Sequence, residues 1–193
     1  MNKDNPGYVG YLLAGIITAL TFKFFDARLG LIPSWGFLVI VVITLLLSRY
    51  TFGISPSLGI NLGGAVVPVV ASLLVFQYKA GVIGPALITT MIGIGLFYVA
   101  FTPSPAGSLT ISPVAGAVIL FFLAFMMAVL TQKHSLLLNL IPITTMSLFG
   151  GDFLRASRSK QPMIVGYYGI NDAIWITFGL LSIIYFIVTL GIL

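Results

Sequence analysis

Cysteine and glutamate are both missing from this chain of 193 residues. Without cysteine there can be no disulfide framework, no thiolate nucleophile and no cysteine-ligated metal. A single histidine without glutamate cannot complete a zinc or di-iron ligand set, so we expect no bound metal and no cofactor. The sequence also lacks a glycine-rich loop that ends in Lys and Ser or Thr, which excludes a P-loop nucleotide site.

Charged residues are scarce as well. They make up 7% of the chain, against 59% hydrophobic residues. Because soluble domains carry about 25% charged residues, this composition cannot cover a water-facing surface. No polar stretch is long enough for a second domain, so residues 1–193 are expected to form a single membrane domain. The basic residues lie at the ends of apolar runs, which predicts a lipid bilayer as partner and no nucleic acid.

Long apolar runs dominate the rest of the sequence. A helix needs about 20 residues to cross a hydrocarbon core of about 30 Å. The sequence therefore predicts an all-α polytopic membrane protein with about six or seven transmembrane helices. The candidate spans are 8–25, 32–49, 60–78, 81–101, 112–131, 135–153 and 172–193.

Two of these segments, near 57–68 and 135–153, carry residues that interrupt helices. Proline and glycine free backbone groups that lipid cannot satisfy, so such segments must face protein or a wet cavity. One interpretation is a kinked helix that packs closely through glycine. The other, for 135–153, is a re-entrant segment, which puts most basic loop residues on one face, with the N-terminus outside. The interrupting residues are Asn61, Gly63, Gly64 and Pro68 in the first segment, and Asn139, Pro142 and Gly151 in the second.

Five short runs occur in one order along most of the chain. They are Ala27–Trp35, Ile60–Pro68, Thr102–Gly107, Phe149–Phe153 and Gly169–Asp172. Together they resemble a multi-pass membrane family of archaea and bacteria, domain of unknown function family 1614. The resemblance implies a prokaryotic cell membrane location, and it implies no activity. The family's last acid lies in a glycine-rich, Phe-Asp-Gly-like pattern, whereas this chain has Asn171 and Ala173 beside Asp172.

Asp152 and Asp172 are the candidate functional residues. An acid at membrane depth is costly unless it is paired or wet, which marks it as functional by default. The two flank one polar loop and so lie at the same membrane face in either topology. A purely structural interpretation stays open for each. Asp172 is placed in the first turn of the last helix, where the macrodipole favours an anion, and Asp152 can pair with Arg155.

A transporter, channel or ligand-binding module is the first functional hypothesis. Broken helices aim free carbonyl and amide groups at a ligand near the bilayer middle. The site would then be a hydrophilic cavity for a cation or small solute, and its two acids would stay ionised beside the basic loop. The binding residues of this hypothesis are Asn61, Gly63, Gly64, Pro68, Asn139, Gly151, Asp152, Asn171 and Asp172.

An intramembrane aspartyl protease is the second hypothesis. Asp152 and Asp172 would share one proton and activate water, as the dyad of aspartic proteases does. Gly151-Asp152-Phe153 looks like the tail of the presenilin and prepilin-peptidase motif Gly-x-Gly-Asp, although Phe149 stands where the first glycine belongs. A third hypothesis is a structural role, as a subunit of a larger membrane complex or as a homo-oligomer. The sequence ranks transport first, so it assigns no catalytic residue.

Overall fold

The computed structural model of the protein describes residues 42–74, 76, 80–105, 107–131, 136–169, 172–178 and 181. Most of these residues are helical, as the composition predicts. The helices with both ends in this part of the chain are α1 (Val67–Leu74), α2 (Ala80–Ala100), α3 (Pro113–Thr131) and α4 (Leu136–Ser157). Further helical residues lie at 42–47 and at 173–178.

Two helices are long and apolar enough to cross a bilayer, judged by length and composition. They are Gly81–Ala100 within α2, with 20 residues, and α3, with 19 residues. Large apolar side chains on both helices are open to the surroundings, including Val99 (77% exposed) and Phe121 (76% exposed). These helices correspond to the predicted spans 81–101 and 112–131, and they indicate association with a membrane.

Three predicted spans lie largely outside the described residues. They are 8–25, 32–49 and 172–193. The described parts of the second and third, 42–47 and 173–178, are helical. Against the prediction of about six or seven crossings, the described part of the chain contains two candidate spans.

The predicted span 60–78 does not form. Strand β2 (Leu58–Asn61) occupies its beginning, and a π-helical turn (Leu62–Val66) follows before α1. The helical stretch Leu62–Leu74 is about 20 Å long at 1.5 Å per residue, too short for a hydrocarbon core of about 30 Å. The irregular backbone predicted near 57–68 is confirmed.

Asn61 determines where the π-helical turn begins. Its Oδ1 accepts a hydrogen bond from the Gly64 N–H at 2.7 Å, as an N-cap does. Its Nδ2 donates to the carbonyl oxygen of Ser48, also at 2.7 Å. The side chain therefore joins the turn to the chain that follows the helical residues 42–47.

Of the two interpretations of 135–153, the structure favours the closely packed helix, because α4 is continuous through Pro142 and Gly151 packs on α2. With 22 residues it is about 33 Å long, so its two ends lie far apart, whereas a re-entrant segment would turn back within its length. Its hydroxyl groups bond to its own backbone four residues back: Thr145 Oγ1 donates to Ile141 O at 2.7 Å and Ser147 Oγ to Ile143 O at 2.6 Å. Hydroxyl groups satisfied in this way do not need a wet cavity.

Two small sheets correct the all-α prediction. Strand β2 pairs antiparallel with one neighbour and parallel with the other, and a second, two-stranded sheet is antiparallel. The sequence at β2 predicts helix wrongly, because a short apolar run has no period that distinguishes strand from helix. The strands of the first sheet are β1 (Thr51–Ser55), β2 and β5 (Met163–Val165), and those of the second are β3 (Thr102–Pro103) and β4 (Leu109–Thr110).

Close glycine contacts hold α4 against α2. A Cβ atom added to Gly93 of α2 would lie 2.7 Å from the Cβ of Ser147, and one added to Gly151 would lie 2.6 Å from the Cβ of Phe97. Real Cβ atoms do not approach so closely, so only glycine fits at these two positions. This contact positions the end of α4, where the first aspartate lies.

Candidate aspartate site

Asp152 lies in the last two turns of α4 and is buried, with 5% of its surface exposed. The preceding residue, Gly151, packs directly on Phe97 of α2. Because the backbone cannot move away from α2 at this point, the carboxyl group of Asp152 is held on the inner side of α4. Its neighbours come from the chain that follows β5.

A turn built on two glycines follows β5. Gly166 has a φ of 72° and Gly169 a φ of 60°, in the left-handed region that glycine adopts without strain. The Gly169 N–H donates to Gly166 O at 3.0 Å, and the Asp172 N–H donates to Gly169 O at 3.0 Å. These two bonds hold Asp172 close to the two glycines, just before the helical residues 173–178. We call residues 166–169 the glycine turn.

Both carboxyl groups accept hydrogen bonds from this glycine turn. The Gly166 N–H donates to Asp152, and the Tyr168 N–H donates to Asp172. Asp172 Oδ1 also accepts from the Ile174 N–H at 3.1 Å. Both side chains are buried, and they lie close enough for their charges to repel. The structure thus brings together the two acids that the sequence singled out.

Neither acid has a cationic partner in the part of the chain that the structure describes. The predicted pair between Asp152 and Arg155 is wrong, because the Arg155 guanidinium lies over the ring of Tyr98, 5.5 Å from its centroid. The basic loop therefore does not neutralise the acids. Asp152 Oδ1 is buried and has no hydrogen-bond partner among the described residues.

The glycine pair of the π-helical turn packs against the same site. A Cβ atom on Gly64 would collide with the carbonyl oxygen of Gly166 and lie 2.9 Å from the Cα of Gly169. A Cβ atom on Gly63 would collide with Ser48 and with the carbonyl oxygen of Thr44. The close approach predicted for this pair is observed. Gly64 packs directly on the glycine turn, whereas Gly63 packs on residues 44 and 48.

Other predicted binding residues lie elsewhere. Both ends of the Asn61 side chain are already hydrogen-bonded, Oδ1 as the cap of the π-helical turn and Nδ2 to the carbonyl oxygen of Ser48. Asn139 lies more than three turns before Asp152 in α4, about 20 Å along the helix axis. Pro68 is buried within α1. Asn171 is outside the described residues.

The described site offers two carboxyl groups and backbone amides. Within the described ranges there is no group of three or more His, Cys, Asp or Glu side chains. Two carboxyl groups close enough to repel one another favour the binding of a proton.

Sequence reasoning missed the backbone donors of the site. Gly166 and Tyr168 contribute amide groups, and no side-chain pattern reveals an amide. The Gly166-Tyr-Tyr-Gly169 run did carry a signal, because two glycines three residues apart after a short apolar run mark a turn.

Comparisons with protein-family models, with curated proteins and with solved structures find no match to this chain. The resemblance to domain of unknown function family 1614 therefore stays a prediction. The grounds for a function are the geometry of the aspartate site and the two candidate membrane spans.

Proposed function

We propose that Asp152 and Asp172 form a catalytic dyad that hydrolyses peptide bonds at a membrane. The observation that carries the proposal is a pair of buried carboxyl groups bound to one glycine turn, with no cation beside them in the described structure. Two carboxylates at such a site cannot both ionise cheaply, so they share one proton. The pair then presents an acid and a base together, which is what aspartyl hydrolysis requires.

Hydrogen bonding supports a different role for each member. Hydrogen bonds from backbone amides stabilise a negative charge. Asp172 accepts two such bonds, from the N–H groups of Tyr168 and Ile174. Asp152 accepts one, from Gly166, and its Oδ1 has no partner among the described residues. We therefore assign the charge to Asp172, as general base, and the proton to Asp152, as general acid.

The reaction then proceeds in two balanced steps. Asp172 takes a proton from water as the water oxygen bonds to the peptide carbonyl carbon, and Asp152 gives its proton to the carbonyl oxygen. The product of this step is a tetrahedral diol. The carbon–nitrogen bond breaks as Asp172 gives its proton to the amine nitrogen, while a diol hydroxyl returns a proton to Asp152. One carboxylic acid and one amine leave, and the dyad is restored.

The proposal includes a multi-pass location in a prokaryotic cell membrane with about six or seven crossings. Within it, α2 and α3 support the membrane location by length and composition. The length of α4, about 33 Å, is also sufficient to span. Gly151, the residue before Asp152, packs on Phe97 near the carboxyl end of α2, a depth at which water can reach a site next to lipid.

Cleavage by purified protein tests this function. The full chain in liposomes is incubated with a set of transmembrane peptides, and new termini are detected by mass spectrometry. Asp152→Asn and Asp172→Asn, which keep side-chain size, should each abolish cleavage. Ser157→Ala, an exposed position at the end of α4, is the matched control and should cleave normally. Cleavage that persists in both asparagine variants would refute the dyad.

Transport remains the second candidate function. The observation that favours it is the Asp152 Oδ1 atom, a buried acceptor without a partner in the described structure, which could bind and release a proton during a transport cycle. It predicts solute or proton flux in proteoliposomes that Asp152→Asn abolishes, without cleavage of any peptide. A structural subunit, the third hypothesis, predicts neither flux nor cleavage.

A further inference from the structure

Two arginines at the end of α4 lie on the ring of one tyrosine. The guanidinium carbon of Arg155 is 5.5 Å from the ring centroid of Tyr98, and that of Arg158 is 5.3 Å from it. Arg158 Nη1 also donates a hydrogen bond to the Tyr98 hydroxyl oxygen at 3.2 Å. The tyrosine ring therefore holds both guanidinium groups together at one point of the surface.

This arrangement concentrates positive charge. Like charges three residues apart on a helix repel, and the face of an aromatic ring attracts each cation and offsets that repulsion. The buried acids of the described structure accept hydrogen bonds from the glycine turn and do not pair with either arginine. Each guanidinium group therefore has N–H donors that can bond a further partner, and that partner should be an anion.

A cleft of about 250 Å³ opens beside the two arginines. Its polar lining residues are Tyr98, Arg155, Arg158 and Ser159, and its apolar lining residues are Pro103, Leu109 and Met163. Since a water molecule occupies about 30 Å³, the cleft has room for a tetrahedral anion and the first atoms attached to it. We call it the arginine cleft.

We infer that the arginine cleft binds a phosphoryl group. The guanidinium fork matches two phosphate oxygens at once, and two such forks can hold one phosphate. Tyr98 lies two residues before the carboxyl end of the candidate span Gly81–Ala100, which is the depth of lipid headgroups in a bilayer. The phosphoryl group belongs to an anionic lipid headgroup or to a soluble phosphate, and both share this chemistry. The inference does not depend on the aspartate dyad.

Thermal unfolding of the full chain in neutral detergent tests the inference. Three probes are titrated separately: short-chain phosphatidylglycerol, short-chain phosphatidylcholine, whose headgroup has no net charge, and inorganic phosphate. Phosphatidylglycerol should raise the unfolding temperature and saturate. The double variant Arg155→Gln/Arg158→Gln should need at least about tenfold more lipid for the same shift. Arg155→Lys/Arg158→Lys, which keeps the charge but loses the forks, should give an intermediate result.

The matched control is Arg49→Gln/Lys160→Gln, which removes the same charge from two exposed residues that do not line the cleft. It should respond as the unchanged protein does. An equal loss in the control, or no loss in either arginine variant, would overturn the inference. Saturation by inorganic phosphate at the same concentration identifies soluble phosphate as the ligand, and saturation by phosphatidylglycerol alone identifies the lipid. If the glutamine variant does not fold, the lysine variant decides the outcome. A lipid requirement equal to that of the unchanged protein would then overturn the inference.

Discussion

The indole Nε1 of Trp175 donates a hydrogen bond to the carbonyl oxygen of Gly63 at 2.7 Å, across 112 residues of sequence. In the π-helical turn, the Val67 N–H donates to Leu62 O, five residues earlier. The equivalent donor for Gly63 would be the backbone nitrogen of Pro68, which carries no hydrogen. Trp175 supplies the missing donor. The bond therefore ties the π-helical turn to the helical residues that follow Asp172.

The first prediction concerns this bond. Trp175→Phe keeps a large aromatic ring but leaves the Gly63 carbonyl without its donor, so it should lower the free energy of unfolding by about 1–3 kcal/mol. Pro68→Ala restores a backbone N–H at position 68. The loss caused by Trp175→Phe should then be smaller in the Pro68→Ala background, and a double-mutant cycle measured by unfolding in detergent shows the difference. Equal losses in both backgrounds would mean that the indole does not replace the proline's missing donor.

The second prediction concerns Gly64. A Cβ atom at this position would collide with the backbone of Gly166, which cannot rotate away as a side chain can. Gly64→Ala should therefore destabilise the protein by about 3 kcal/mol and displace the glycine turn. Gly84→Ala is the control, because nothing lies within 4 Å of its added Cβ in α2. It should be neutral or stabilising by up to about 1 kcal/mol, since alanine favours helix.

Thermal unfolding of both variants in detergent gives the comparison. Similar unfolding temperatures for Gly64→Ala and Gly84→Ala would show that the π-helical turn does not press on the glycine turn.

The third prediction concerns the direction of α4. A continuous helix about 33 Å long should bring its two ends to opposite faces of a bilayer. The chain contains no cysteine, so His134→Cys and Lys160→Cys each introduce a single labelling site. A membrane-impermeant maleimide applied to oriented vesicles should label one variant from outside and the other only after lysis. Labelling of both from the same side would place α4 along the interface instead.

Apolar runs were sufficient to predict α2 and α3, because a stretch of about 20 apolar residues between turn residues has few alternatives. The two acids were also identifiable, since so few charges occur in the chain. Their surroundings were not. Sequence spacing suggested Arg155 as the partner of Asp152, but the aromatic ring that holds Arg155 belongs to α2 and is distant in sequence.

The segments with proline gave opposite results for a physical reason. At 57–68 the backbone is irregular, because Asn61 caps a turn and Pro68 removes a donor soon after it. At 135–153 the helix continues through Pro142, and its later turns pack closely on α2. Tertiary packing decides between these outcomes, and packing cannot be read from the local sequence.

The fourth prediction is the pH dependence of peptide cleavage by the proposed dyad. The active form holds one proton between Asp152 and Asp172, so kcat/KM should follow a bell-shaped curve. On the acid side Asp172 gains a proton and can no longer accept one from water. On the alkaline side Asp152 loses its proton and can no longer donate to the peptide carbonyl.

Initial cleavage rates at low substrate concentration, measured across the pH range in which the protein stays folded, give this curve. Lys160→Gln serves as the control, because its side chain is exposed and its removal changes net charge without touching the acids. The control should retain both limbs of the curve. A profile with only one limb would mean that a single carboxyl group acts alone. The proposal that Asp152 and Asp172 act as a dyad with one shared proton would then fail, even if cleavage itself were observed.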